Sequence, residues 1–213
     1  MGDSITDAGK SFGKGSQLPL GQGYALMTAG RLGVKYPGRF TFINNGNSGD
    51  RIVDLYARIK IDVWNHAPDV LSILVGINDV WHEILNGNGV DAERFGTVYR
   101  MYITDTLRRF PGMKIILMEP FVGNCSLVAE NREYFRDNVR ERAVITERLA
   151  AETGVSFLPL QKMFDNACRT VGAEYWFDDG VHPFPAGHHA HSCWLGNVIL
   201  RQGDAGESGP PQA

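Results

Sequence analysis

The sequence predicts an α/β fold, a parallel sheet layered between helices, and three observations carry that expectation. Apolar runs of strand length recur at 70–75, 114–118 and 155–158, nearly continuous as buried parallel strands are. Segments with apolar residues at helical spacing separate them. Polar, glycine-rich motifs follow the strands, on the edge where open α/β sheets bind ligands.

The elements read in order as follows. Residues 1–7, Met-Gly-Asp-Ser-Ile-Thr-Asp, form a tight turn that delivers Ser4 to a helix N-terminus. Gly2 frees the backbone there, and Asp3 and Thr6 suit turns and caps. Residues 10–23 are rich in Gly, Ser and Lys and read as a loop, followed by a short helix over 24–32. Residues 39–44 alternate and are rich in aromatic and β-branched side chains, which predicts a strand. The turn Asn45-Gly46-Asn47-Ser48-Gly49-Asp50 places Asp50 to cap a helix carrying Ile52, Leu55, Ile59 and Val63. Strand 70–75 ends in Gly76-Ile77-Asn78-Asp79, and Phe95, Tyr99, Ile103, Leu107 and Phe110 make the buried stripe of the next helix. Strand 114–118 is closed by Glu119-Pro120. Phe135, Val139, Ala143 and Leu149 mark a long amphipathic helix through about residue 152. After strand 155–158 come a helical stretch over 160–171, a loop with Trp176 and Asp178–Pro183, and a final helix over 185–201. One domain spans 1–202, and the Gly/Pro/Ser-rich stretch 203–213 is expected to be a disordered tail.

With 213 residues, 43% apolar and 21% charged, the chain can build one proper core. A net charge of -3 offers no basic footprint for nucleic acid and no polybasic face for anionic membranes. No apolar run approaches the roughly 20 residues that span a bilayer, and no basic-then-apolar leader is present. Cys125, Cys168 and Cys193 are scattered and odd in number, which points to reduced thiols and a cytoplasmic location.

Chemistry concentrates in four motifs. Asp179 and His182 lie three apart in a tight Asp-Gly-Val-His-Pro loop, a spacing that lets the carboxylate orient the imidazole through Nδ1 and leaves Nε2 to take a proton from a serine. Gly49 lets a backbone N–H approach closely, and the Asn78 amide is a neutral donor, so both suit an oxyanion. Singly, each reads as a turn or cap residue. The Gly-x-Ser-x-Gly elbow of α/β-hydrolases is not matched, since Thr6 holds the last position. His188 and His191 share a helix face, but no carboxylate or cysteine completes a metal site, and no cofactor is called for.

Taken together, Gly2-Asp3-Ser4, Gly49, Gly76-x-Asn78-Asp79 and Asp179-x-x-His182 resemble the SGNH (GDSL) hydrolase family, over residues 2 to about 200. The resemblance implies a flavodoxin-like three-layer α/β/α sandwich with strand order 2-1-3-4-5, and a serine esterase acting on a small-molecule ester. It implies Ser4 as nucleophile, His182 as base and Asp179 as its partner, with the Ser4 and Gly49 N–H groups and the Asn78 amide as oxyanion hole. The stretches Gly2–Gly9, Gly76–Trp81, Leu117–Phe121 and Asp179–Pro183 look like the intracellular acetylxylan esterases of this family, which deacetylate xylo-oligosaccharides and tend to form homo-oligomers. His82 departs from that branch, where an arginine often stands. Asp3, Trp81, His82 and Trp176 are the candidates for substrate contact; for the two tryptophans, core packing is the alternative. Two other readings stay open: a lysophospholipase or acyl-thioesterase of the same fold, and an inactive carbohydrate-binding protein.

The family fold places a central strand of about five or six residues before Gly2. The chain begins at Met1, so the expectation is a truncated first strand, a natural start upstream, and a gap between 39–44 and 70–75.

Overall fold

A computed structural model describes residues 1–11 and 18–204. The expected loop over 10–23 therefore lies partly outside the described residues, as does the tail beyond 204. Three strands, β1 (Val70–Leu74), β2 (Lys114–Met118) and β3 (Ser156–Leu158), pair in parallel in the order β1-β2-β3. Val70 stands opposite Lys114 and Leu74 opposite Met118, so the first two strands run in full register. Side chains alternate between the faces. Ile73, Ile115 and Leu117 enter one buried cluster, while Leu74, Ile116 and Met118 enter another.

Helices cover both faces, giving three layers. Short α1 (Ser4–Asp7) is followed by α2 (Tyr24–Lys35) and by α3 (Ile52–Ala57), which leads into a π-helical turn at Lys60–Trp64. Then come α4 (Ile77–Asn86), α5 (Ala92–Arg109), α6 (Ser126–Glu130), α7 (Arg132–Thr153), α8 (Leu160–Cys168), α9 (Ala173–Trp176) and α10 (Pro185–Asp204). On one face Leu55 of α3, Phe95, Tyr99, Tyr102 and Ile103 of α5 and Leu149 of α7 close over β1 and β2. On the other, Tyr24 of α2, Phe164 of α8 and Leu195 of α10 gather around Phe121 and Phe177. Each such large side chain, fully buried, contributes about 1.5–3 kcal/mol of transfer free energy.

Beyond β1 the sheet is continued by single residues. The Met1 amino group donates to the Ser72 carbonyl at 3.0 Å, and Leu74 N–H donates to the Met1 carbonyl at 3.1 Å. Gly2 forms parallel bridges with both Leu74 and Gly46, and Asn47 N–H donates to its carbonyl at 2.9 Å. The parallel segments therefore run Gly46, Gly2, β1, β2, β3, the order 2-1-3-4-5. The expected gap is bridged at one level, beside Gly2.

Two expectations need correction. Residues 39–44 are not a strand. Their alternation is amphipathic, but a strand exists through its ladder, and here pairing begins only at Gly46; Phe40 and Ile43 remain exposed. Asp50 does not cap α3. Its carboxylate accepts from Asn47 Nδ2 (2.8 Å) and Arg58 Nε (2.7 Å), while Ile52 N–H at the helix start is met by Asp79.

Gly2 has no room for a side chain: a Cβ would lie 2.3 Å from Thr6 Oγ1 and 2.5 Å from the Leu74 carbonyl oxygen. Gly2→Ala should therefore cost about 1–3 kcal/mol of stability by forcing these segments apart, read as a lower urea midpoint with an unchanged slope.

Candidate active site

Ser4 is the first residue of α1, and its placement follows from its neighbours. Asp3 caps the helix, its Oδ1 accepting from Ile5 N–H at 3.0 Å. Ser4 is half-buried, and its Oγ lies 2.8 Å from His182 Nε2 across 178 residues of chain. On the far side of the ring, Nδ1 lies 2.7 Å from Asp179 Oδ2. A carboxylate oxygen only accepts, so Nδ1 carries the hydrogen and Nε2 is left to accept from the serine hydroxyl.

The loop bearing Asp179 and His182 is built by the aspartate itself. Asp179 Oδ1 accepts from the Val181 and His182 N–H groups at 2.9 and 2.8 Å. Phe177 and Pro183 bridge the base of the loop, and Gly123 N–H donates to the Gly180 carbonyl at 2.7 Å. Gly180 sits at φ 90°, where a Cβ would also strike Val128. Burial pushes the Asp179 carboxyl up, but the His182 ring and the two backbone donors outweigh it and hold it at about 2. For His182 the bond to Asp179 raises the imidazole above its ordinary value, against an opposing effect of burial.

Gly49 and Asn78 reach the same edge from other elements. Asn78 lies in the first turn of α4, directly after β1, buried, with one amide hydrogen donated to the Asp50 carbonyl at 3.1 Å. Gly49 occupies φ 87° in the turn after Gly46. That turn is stitched to α1: Asn44 Nδ2 donates to the Thr6 carbonyl at 2.7 Å, and Ser48 N–H and Oγ donate to Asp7 Oδ2 at 3.1 and 3.3 Å. Lys10 Nζ donates to the Gly46 carbonyl. Among the described residues, the Ser4 and Gly49 N–H groups have no acceptor in the protein.

The remaining candidates separate. Trp81 is half-buried, its ring centre 6.2 Å from that of His182 and edge-on to Phe135. His82 Cε1 lies 3.9 Å from where a Cβ on Gly49 would be. Asp3, expected to touch substrate, is instead fully buried, and burial pushes its carboxyl up to about 7. Trp176 packs edge-on against Tyr175 and joins the apolar cluster containing Phe164. His188 accepts from Tyr24 N–H at 3.2 Å, and buried His191 stacks on the Tyr24 ring at 3.9 Å.

Two carboxylates that shape this edge were not singled out for it in the sequence. Asp7 holds Ser48, 41 residues away, and Asp79 accepts from Ile52 N–H with both oxygens, at 3.1 and 3.3 Å. Asp79 does sit beside Asn78 in its motif, but no local spacing announces a partner 27 residues earlier.

A model of the GDSL-like lipase/acylhydrolase family matches residues 1–190. An acetylxylan esterase from Geobacillus stearothermophilus is 32% identical over 195 residues, covering 88% of this chain and 86% of that protein. Among solved structures, a protein described as a GDSL-like lipase from Parabacteroides merdae superposes with a TM-score of 0.87 at 32% identity, over 93% of each chain. A solved acetylxylan esterase from Geobacillus stearothermophilus gives a TM-score of 0.79 at 32% identity, over 94% of this chain and 90% of that one. Solved catalytic mutants of that esterase replace a serine and an aspartate with alanine. With motifs, topology and sequence agreeing over nearly its whole length, the chain belongs to the GDSL-like lipase/acylhydrolase family and is a carboxylic ester hydrolase.

Proposed function

We propose that the chain is a serine esterase that removes acetyl groups from a small carbohydrate ester such as an acetylated xylo-oligosaccharide. The observation that carries the reading is the hydrogen-bonded line from Ser4 through His182 to Asp179, at 2.8 and 2.7 Å. His182 Nε2 takes the hydroxyl proton as Ser4 Oγ attacks the acyl carbonyl. Asp179 stays ionised, fixes the tautomer and stabilises the imidazolium. The negative charge on the tetrahedral oxygen falls to the Ser4 and Gly49 N–H groups and the second amide hydrogen of Asn78. When the intermediate collapses, the proton passes from Nε2 to the departing sugar alkoxide. Water then attacks the acyl-enzyme by the same route and releases acetate. The acetyl and sugar parts of the reading are supported by the likeness to an acetylxylan esterase and by Trp81, whose flat ring beside His182 offers a wall to a small acyl group or a sugar.

Acetate release from acetylated xylo-oligosaccharide, and hydrolysis of p-nitrophenyl acetate, should fall about 10⁴-fold or more in Ser4→Ala. Asn78→Ala should lower kcat about 100- to 1000-fold with little change in KM, because the amide acts on charge that develops only in the transition state. A Ser4→Ala variant that kept its activity would overturn the nucleophile.

The pH dependence has a definite sign. His182 must be neutral to act as base, and Asp179 raises its pKa, so kcat/KM should climb with a midpoint above 6.5. A flat profile from pH 5 to 8 would remove His182 from that role. Acyl preference tests the acetyl assignment: p-nitrophenyl acetate should be strongly preferred over the octanoate, and equal rates would point to a long-chain acyl hydrolase.

A further inference from the structure

The molecule carries a cleft that this chemistry does not use. It encloses about 660 Å³ between α7, α8 and the loop after β2, a size typical of small-molecule sites, and Ser4, Asp179 and His182 are not among its lining residues. Its floor is apolar, with Val128, Val139 and Phe164 buried beneath it. Its rim is cationic: Arg132, Arg136, Arg140, Lys162 and Arg169 are all exposed, in a chain of net charge -3.

Among the described residues, the two carboxylates in the cleft form no ion pair with that rim. Glu119 Oε2 accepts from Gln161 N–H and Asp165 Oδ1 accepts from Gln161 Nε2, both at 2.9 Å. Gln161 is held in turn by Val122, whose N–H donates to Oε1 at 2.8 Å and whose carbonyl accepts from Nε2 at 3.0 Å. One residue, Gln161, thus ties both acids to the base of the cleft, Glu119 through its backbone and Asp165 through its side chain. Arg136 is paired with Asp137. Among the described residues, Arg132, Arg140, Lys162 and Arg169 have no carboxylate within ion-pair distance. Elsewhere, Arg51, Arg58, Arg100 and Arg108 each meet an aspartate or glutamate. The cleft also backs onto the His182 loop, because Gly123 donates to the Gly180 carbonyl and Val128 packs against Gly180.

We propose that this cleft is a binding site for an amphiphilic organic anion, a carboxylate carried on an apolar chain or ring. The apolar body covers the floor, and the carboxylate meets the arginine forks of the rim, which match it with paired hydrogen bonds. A bare inorganic anion would leave the floor wet, and a neutral apolar molecule would leave the rim unanswered.

Fluorescence titration of the full chain with 8-anilinonaphthalene-1-sulfonate, an aromatic sulfonate, tests the site. Binding should saturate at one probe per chain and weaken at high salt, as the screening length falls from about 10 Å at 0.1 M to about 3 Å at 1 M. Octanoate and 2-naphthoate should displace the probe, and whichever does so at lower concentration tells chain from ring; octanol and inorganic phosphate should not. The double substitution Arg140→Glu, Lys162→Glu should weaken octanoate at least about tenfold, with p-nitrophenyl acetate hydrolysis and melting temperature unchanged. Prior phosphonylation of Ser4 should leave binding intact. Displacement by phosphate or octanol as effective as by octanoate, loss of binding on blocking Ser4, or an unaffected double variant would each overturn the proposal.

Discussion

The closeness of three backbone segments at Gly2 governs the rest of the site. Gly2 bridges Gly46 on one side and Leu74 on the other, and Ser4 begins its helix two residues later. No side chain fits: a Cβ on Gly2 would overlap Thr6 and the Leu74 carbonyl, and one on Gly46 would lie 2.4 Å from Asp7 N. Because these two glycines let the backbones touch, the Gly49 turn, α1 and the end of β1 take fixed positions relative to each other. Ser4, Gly49 and Asn78 come from three separate stretches, and none is held by its own local structure alone. A displacement of about 1 Å among them is enough to cost roughly 100-fold in rate.

Two kinds of aspartate surround this junction. Asp179 receives three donors and sits at about 2, whereas Asp3 and Asp79 are raised to about 7, chiefly by burial. Asp3 illustrates the cost: Oδ1 accepts from Ile5 N–H, but Oδ2 is buried without a partner. Burial that favours its neutral form reduces the negative charge Asp3 places beneath α1, near an oxygen that must itself become negative. Asp179 does the opposite, keeping its charge beside the one group that becomes positive. Residue type alone does not separate these roles; the count of donors and the depth of burial do.

Much of this was legible in the sequence, and the failures share a cause. The positions of β1 and β2 follow from nearly continuous apolar runs that stop before Gly76 and Glu119, so local pattern sufficed. The motifs around Ser4, Gly49, Asn78 and Asp179–His182 were readable as a set, and the fold brings their stretches to one edge. Residues 39–44 have the alternation of a strand, but alternation reports a half-buried face and says nothing about a neighbour to pair with. Asp50 has the right type for a cap, but Arg51 holds the N-cap position, Arg58 and Asn47 take the Asp50 carboxylate, and Asp79 reaches the helix start from far along the chain. Asp3 was placed correctly and given the wrong task, because burial is a tertiary property. What the sequence withheld was partnership at long range.

That same long range bears on how the protein comes to be active. Ser4 and His182 are separated by 178 residues, and the Met1 carbonyl and the Gly2 bridges find partners only at residues 46 and 74. Loops of this length close slowly, and their entropy must be lost before any contact compensates for it. Helices such as α5 and α7 can form from local contacts while the first residues of the chain still search for their groove between two segments. Refolding would then regain helical signal early and esterase turnover last, so that the enzyme's own reaction marks the moment at which the chain is complete.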